Sequence, residues 1–261
     1  MSTGPVAVYC ASSNGSAPAY QNAARSVGNA VAKRGLVYGG GSSGLMGVVS
    51  QATLDSGGRV VGVVPAAMLT KRPGFSKGGA AGEGSKVDVP TPDVETANTK
   101  KERIKHGEPV SLVEKGRETV ETIIVNSMHD RKVLMAERAT GGFVGLPGGF
   151  GTFEEILEVV TWSQLSIHNK PVVLVNIYGY WEPLRALINN ANGAGFIHPE
   201  NVSLVSFIDG PSDHGQHVDY DWGADVLRFL DAWEPHKWAG YGFDWSRTVT
   251  DGQVQGNLDA V

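Results

Sequence analysis

The sequence holds a single cysteine, Cys10, so it can form neither an internal disulfide nor a cysteine-based zinc site. Cys10 lies in an apolar run, where the expected role is a small buried hydrophobe rather than a nucleophile. No stretch approaches the ~18 continuous apolar residues of a membrane span, and no basic region followed by an apolar block opens the chain. A membrane anchor and a secretory leader are therefore not expected, and the cytoplasm is the default location. Positive charge is also short: 22 Lys and Arg against 27 Asp and Glu leave a formal net charge of -5. Nucleic-acid backbones call for a basic surface, so a nucleic-acid partner is disfavoured. A single nucleotide stays within reach, because backbone amides alone can hold one phosphate. Internal repeats are missing as well.

What is present reads as one folded unit. The 261 residues are 41% hydrophobic and 19% charged, enough to bury one large core or two small ones. Short apolar runs alternate with longer helical stretches. Strands are predicted at 5–10, 36–38, 60–64, 142–146, 172–175 and 202–207. Helices are predicted at 18–34, 44–56, 127–139, 152–167 and 180–192. Continuous apolar strands separated by helices imply a parallel sheet covered on both faces, a doubly wound, Rossmann-like α/β fold in a single domain. The catalytic domain is expected to span 1–233. Within it, 71–108 is rich in Gly, Pro, Lys and Thr and too long for an ordinary connection, so it reads as an insert or lid. Its cluster Lys100, Lys101, Arg103 and Lys105 reads first as a solvated face. The polar, Gly-rich 234–261 reads as a tail that packs on the surface or frays.

Two glycine-rich turns join a strand to a helix. The first, Gly39-Gly40-Gly41-Ser42-Ser43-Gly44-Leu45-Met46-Gly47, contains a formal G-x-G-x-x-G match. A dinucleotide site would also want an acid about 20 residues on, at the end of the next strand. Here 60–64 runs into Pro65 without one, so a nicotinamide cofactor is disfavoured. Glycines let backbone approach an anion closely, and the following helix offers free amides. Phosphate or ribose binding through Ser42, Ser43 and Gly44 is thus preferred to a turn packed with glycines for its own sake. The second turn is Pro147-Gly148-Gly149-Phe150-Gly151-Thr152-Phe153-Glu154-Glu155. Thr152 and Glu155 fit the T-x-x-E capping box, Thr152 being both helix cap and phosphate donor, yet the glycines before them exceed what a cap needs. Two such loops converge at the carboxyl edge of a doubly wound sheet, where ligands bind. A third stretch, Met128-His129-Asp130-Arg131-Lys132, sits on a predicted helix and by spacing alone reads as a solvated face.

Taken together and in this order, G-G-G-S-S-G-L-M-G, M-H-D-R-K and P-G-G-F-G-T-F-E-E, followed by V-V-T-W-S-Q-L-S-I-H at 159–168 and Lys170-Pro171, resemble the Lonely Guy family of cytokinin-activating enzymes, often mislabelled lysine decarboxylases. The resemblance covers about residues 6–197. It implies hydrolysis of cytokinin riboside 5′-monophosphates to free cytokinin and ribose 5-phosphate, with no metal, PLP or nicotinamide. It also implies a homodimer or larger assembly, with residues near the interface shaping the base pocket. By motif, the family's essential arginine and glutamate fall on Arg131 and Glu155. Its substrate-binding set falls on Met128, Lys132, Gly148, Gly149, Phe150, Gly151, Thr152, Glu154 and Thr161. The chain departs from the compact plant pattern in the length of 71–108, in the tail, and in one extra residue between Arg131 and the P-G-G loop.

Cleaving an N-glycosidic bond passes through a sugar with oxocarbenium character, and a carboxylate can stabilise that charge or activate the attacking water. That role goes to Glu155. Arg131 is expected to position phosphate or leaving base, since a guanidinium cannot act as an acid. No second acid stands in the motifs to protonate the leaving group. Two alternatives remain: a general AMP or purine nucleotide phosphoribohydrolase, and a non-catalytic nucleotide or cofactor carrier on the same scaffold. A carrier would not need both M-H-D-R-K and T-F-E-E.

Overall fold

The computed structural model describes residues 4–69, 110–113, 120–235, 243, 245, 248–250 and 253–255. The expected insert at 71–108, with its basic cluster, lies outside the described residues. Five strands match or nearly match their predicted limits, the two at 142–145 and 172–175 and, before them, β1 (Val6–Tyr9), β2 (Leu36–Tyr38) and β3 (Val60–Pro65). Helix α1 (Pro18–Val31) links the first two, α2 (Gly44–Asp55) links the next two, and a short α3 (Ala66–Leu69) follows. Then come β4 (Val110–Val113), β5 (Val120–Val125), α4 (Met128–Arg138), β6 (Gly142–Gly145), α5 (Phe150–Gln164), β7 (Val172–Val175), α6 (Glu182–Gly193), β8 (Ser206–Ile208) and α7 (Trp222–Ala232).

These strands make one eight-stranded sheet in the order β4-β5-β3-β2-β1-β6-β7-β8. Seven of them run parallel; β4 pairs antiparallel with β5 and closes one edge. Val6 of β1 faces Leu36 on one side and Gly142 on the other, so the connection reverses direction at β1. Every residue of β1, β2, β6 and β7 is buried, which requires helices on both faces. One core lies under α1, α2 and α7, through Val8, Leu36, Val27, Val49, Trp222 and Val226. The other lies under α4, α5 and α6, through Tyr9, Val63, Ile123, Met135, Phe143, Ile156 and Trp181. The expected doubly wound α/β architecture is the one observed.

The differences have local causes. The predicted strand at 202–207 is a 3-10 turn, Pro199–Leu204, followed by the shorter β8: Pro199 opens the turn, and His198 accepts from the Glu200 amide. Strand β5 and helix α7 have no counterpart in the sequence reading. For α7 a signal existed, since Asp221 caps Ala224 N–H ahead of Trp222, Val226 and Leu230 on one stripe. Among the described residues of the tail, β9 (Thr248–Thr250) and β10 (Gln253–Gln255) form an antiparallel ribbon, and the Trp245 indole donates to Leu165 O at 2.9 Å. Among the described residues no helix is long and apolar enough to cross a membrane.

Candidate active site

Backbone bonds stitch three loops together at the carboxyl edge of β1, β2 and β6. Leu146 N–H donates to Tyr9 O (2.9 Å), and Ala11 N–H to Pro147 O (3.1 Å). Leu45 N–H donates to Ser13 O and Met46 N–H to Ala11 O, both at 3.2 Å. The reversal of connection at β1 leaves the crevice that such sheets offer to ligands.

Arg131 stands in the first turn of α4, whose N-cap Ser127 accepts from Asp130 N–H at 3.0 Å. Glu155 stands in the second turn of α5. Both helices pack on β1, and there the two side chains meet: Arg131 Nη2 lies 3.3 Å from Glu155 Oε1, with side chains only 10% and 11% exposed. Arg131 Nη1 reaches Met128 Sδ at 3.9 Å, while its Nε is buried without a partner. A guanidinium carries five donors and rarely leaves buried ones idle, so this one is under-supplied by its own protein. Burial outweighs the neighbouring guanidinium at Glu155 and lifts its carboxyl from 4.5 to about 7. Beneath the pair, burial and then the Glu155 charge hold the Tyr9 phenol well above its usual range.

This geometry overturns the capping-box reading. Helix α5 begins at Phe150 with Gly149 as N-cap, so Thr152 is the third helical residue and Glu155 lies beyond reach of a cap. Glycine serves as an N-cap because it adopts the extended conformation found there, and the helix consequently starts before Thr152. Thr152 is buried, and its side chain packs onto Gly148, where an added Cβ would stand 2.1 Å from Oγ1. Glu155 is freed from the structural role that explained it most simply.

The two glycine loops differ in what they leave open. In the first, the Leu45 and Met46 amides are spent on carbonyls of the β1 loop. Its glycines make room: a Cβ on Gly39 would lie 2.0 Å from Arg131 Nη2, and one on Gly44, at φ +62°, 2.2 Å from the Ser12 and Ser13 backbone. Ser42 and Ser43 are exposed, with Ser43 Oγ donating weakly to Ser12 O at 3.4 Å. Packing against Arg131 and the β1 loop accounts for Gly39 and Gly44, while the amides of Ser42, Ser43 and Gly44 have no backbone partner among the described residues. In the second loop Phe153 N–H is the first to bond within the helix, to Gly149 O. The Phe150, Gly151 and Thr152 amides have no partner among the described residues, and a Cβ on Gly149 or Gly151 would meet nothing within 4 Å.

Lys132 joins the same two helices from the outside, with Nζ 2.6 Å from Glu154 Oε1 and 2.9 Å from Glu158 Oε1. These partners, Glu154 first, raise the ammonium above its ordinary value. Met128, Arg131, Lys132, Glu154, Glu155 and Gly148 to Thr152 are thereby gathered at the heads of α4 and α5. Thr161 is not: it lies about three turns along α5 and faces solvent, its hydroxyl donating to Leu157 O at 2.8 Å. Two contributors escaped the sequence reading, Gly39 as the seat of Arg131 and Tyr180, whose hydroxyl donates to Gly148 O. Among the described residues no three His, Cys, Asp or Glu gather to hold a metal.

Known proteins match this arrangement along most of the chain. A family model described as "Possible lysine decarboxylase" matches residues 46–218, and one described as "SLOG cluster4 family" matches 5–86. A probable cytokinin riboside 5′-monophosphate phosphoribohydrolase of Oryza sativa subsp. japonica, LOGL1, is 37% identical over 213 residues, covering 81% of this chain and 76% of its own. The cytokinin riboside 5′-monophosphate phosphoribohydrolase LOG of the same plant is 39% identical over 202 residues, 77% of this chain and 66% of its own. LOG3 of Arabidopsis thaliana is 39% identical over 202 residues, 77% and 74% respectively. A solved molybdenum cofactor carrier protein from Chlamydomonas reinhardtii is 17% identical at a TM-score of 0.47, over 87% of this chain and 98% of that one. On the family model and the plant relatives, the chain belongs to the Lonely Guy family, the group whose model carries the lysine decarboxylase description.

Proposed function

We propose that the protein hydrolyses the N-glycosidic bond of cytokinin riboside 5′-monophosphates, releasing the free base and ribose 5-phosphate, the activity in the names of its plant relatives. The observation that carries this reading is the buried Arg131–Glu155 pair, set beside three open amides at the head of α5. The 5′-phosphate takes the Phe150, Gly151 and Thr152 amides, with Gly148 and Gly149 leaving room for it. Arg131 supplies its unused donors to the substrate, and Lys132, Glu154 and Met128 border the cleft. Ser42, Ser43 and Gly44 lie at its rim.

Glu155 faces the ribose. As a carboxylate it stabilises positive charge developing on C1′ and takes a proton from the attacking water. The water oxygen bonds to C1′, the C1′–N bond breaks with its electron pair going to the base, the base nitrogen takes a proton from solvent, and Glu155 returns the proton it took to solvent. A carboxyl titrating near 7 is well matched to moving a proton at neutral pH. A homodimer fits the apolar side chains left bare beside the cleft, Phe150, Leu157 and Met128. A cytoplasmic location fits a single, buried, unpaired cysteine.

Incubation with N6-isopentenyl-AMP, its riboside and AMP, followed by chromatography for free base, tests the reading. Base is expected from the isopentenyl monophosphate. Faster release from AMP would make the enzyme a general purine nucleotide hydrolase, and tight binding with no release from any of them would make it a carrier.

A further inference from the structure

Two consecutive carbonyls of the Pro147-Gly148-Gly149 loop are tied from outside it. Pro147 O accepts from Ala11 N–H at 3.1 Å, and Gly148 O accepts from the Tyr180 hydroxyl. Ala11 follows β1 and Tyr180 follows β7, the two strands that flank β6, so the loop is held from both sides and its Gly148–Gly149 peptide is fixed directly ahead of the open amides of Phe150, Gly151 and Thr152. The open amides at the start of α5 form the anion seat, and the fixed peptide sets where that helix begins.

The corner that delivers Tyr180 is built with unusual effort. Between β7 and α6, Tyr178 takes φ 55° and Gly179 φ 72°, so a bulky tyrosine sits in the left-handed region. Such a residue costs on the order of 1–3 kcal/mol and persists only where its surroundings over-determine it. Here they do. Tyr178 N–H donates to Nδ1 of the buried His217 at 3.0 Å, and His217 Nε2–H donates to Pro211 O at 2.7 Å, which sets the tautomer. The Tyr178 ring stacks on His217 with planes 3° apart. On the other flank, buried Asn176 accepts from Trp181 N–H at 2.7 Å and donates to Glu182 and Asp209. Tyr20 of α1 meets both Tyr178 and Tyr180 edge-on. A strained, pinned corner whose next side chain ends on the carbonyl of a glycine loop is more than chain reversal requires.

We propose that Tyr180 is a positioning residue, fixing the Gly148 peptide so that the loop receives the substrate's phosphate. The proposal rests on the hydrolase reading above but concerns phosphate affinity. The test is Tyr180→Phe, which deletes one oxygen and keeps the ring contacts with Tyr20 and Trp181. Affinity for ribose 5-phosphate by calorimetry, and KM for the monophosphate, should each weaken about threefold to tenfold, the worth of one hydrogen bond. Turnover number and kcat/KM for the phosphate-free riboside should change less than about twofold, because neither uses the anion seat. Unchanged phosphate affinity overturns the assignment. So does a parallel loss toward both substrates, with or without a lower Tm, which would make Tyr180 a packing residue. If the wild type releases no base yet Y180F still loses ribose 5-phosphate affinity, the hydrolase reading fails and Tyr180 stands. A wild type that binds no ribose 5-phosphate ends both.

Discussion

Glu155 and Arg131 stand 24 positions apart in the sequence (155 less 131), yet their side chains meet in the fold and the guanidinium acts on the carboxyl. Folding desolvates the Glu155 carboxyl more than Arg131 compensates it, so the neutral form is favoured and the group titrates at about 7 instead of 4.5. A carboxyl raised in this way stabilises the fold fully below the unfolded value of about 4.5, and that contribution is lost as pH climbs through 7. Glutamine imitates the neutral carboxyl. Glu155→Gln should therefore match the wild-type Tm near pH 4.5 and exceed it by several degrees at pH 8, a gain of order 1–3 kcal/mol. Its turnover should fall at least ~10²-fold, since an amide can neither take a proton nor face a cation. Thermal melts at both pH values with kcat alongside check this; a Tm that falls at pH 8 would return Glu155 to a structural role. Arg131→Met makes the complementary case. For the wild type, kcat/KM should rise with pH through about 7, as the carboxylate forms. The guanidinium is the largest influence holding that value down, so without it the rising limb should move to higher pH and activity should drop at least about tenfold. A limb that stays in place would show that Glu155 is not the group observed.

At the scale of elements, α5 divides glycines that serve the fold from glycines that serve a ligand. A Cβ on Gly148 would strike Thr152 at 2.1 Å, whereas one on Gly151 would meet nothing within 4 Å, and Gly151 does not take a positive φ. Gly151→Ala should leave Tm equal or slightly higher, alanine being the better helix former. It should nevertheless raise KM for the monophosphate about tenfold or more, because the new methyl stands where the phosphate approaches the amides, and should leave the riboside unaffected. Steady-state kinetics on both substrates decide it; an unchanged KM moves the phosphate elsewhere. The same helix shows how far sequence reaches. Buried strands such as Val172–Val175 were legible because an all-apolar run bounded by Pro171 has few other uses. Arg131, Glu155 and the P-G-G loop were legible as motifs. The start of α5 was not, because T-x-x-E is a local rule and the helix instead begins at a glycine. Strand β5, with Glu121 and Thr122 inside it, carries too mixed a pattern for its burial against β3 to be foreseen. The inner role of the first glycine loop was hidden for a related reason: only the folded chain lays Arg131, 92 positions away by subtraction of 39 from 131, upon Gly39.

At the scale of the molecule, apolar side chains stand bare beside the cleft. Phe150 is 92% exposed, and Leu157 and Met128 are each 44% exposed. On α5, Phe150, Glu154, Leu157 and Thr161 fall on one solvent-facing stripe, so the bare hydrophobes and the unplaced Thr161 share a surface. A monomer gains nothing by leaving a phenylalanine there, while a two-fold contact covers the stripe with its own copy. Such a contact would wall the open side of the cleft and bring Thr161 into a second molecule's neighbourhood, in keeping with the expected homodimer. The wild type should therefore be a dimer or larger by light scattering at micromolar concentration. Leu157→Arg, set at a position the monomer already exposes, should fold with little change in Tm for the monomer's own core and shift the mass toward one chain. Base release should fall with it, and should recover in part as protein concentration is raised, because mass action restores the assembly. A wild type of monomer mass with full activity would remove the dimer from this account, and an L157R variant that stays dimeric would place the interface on another face.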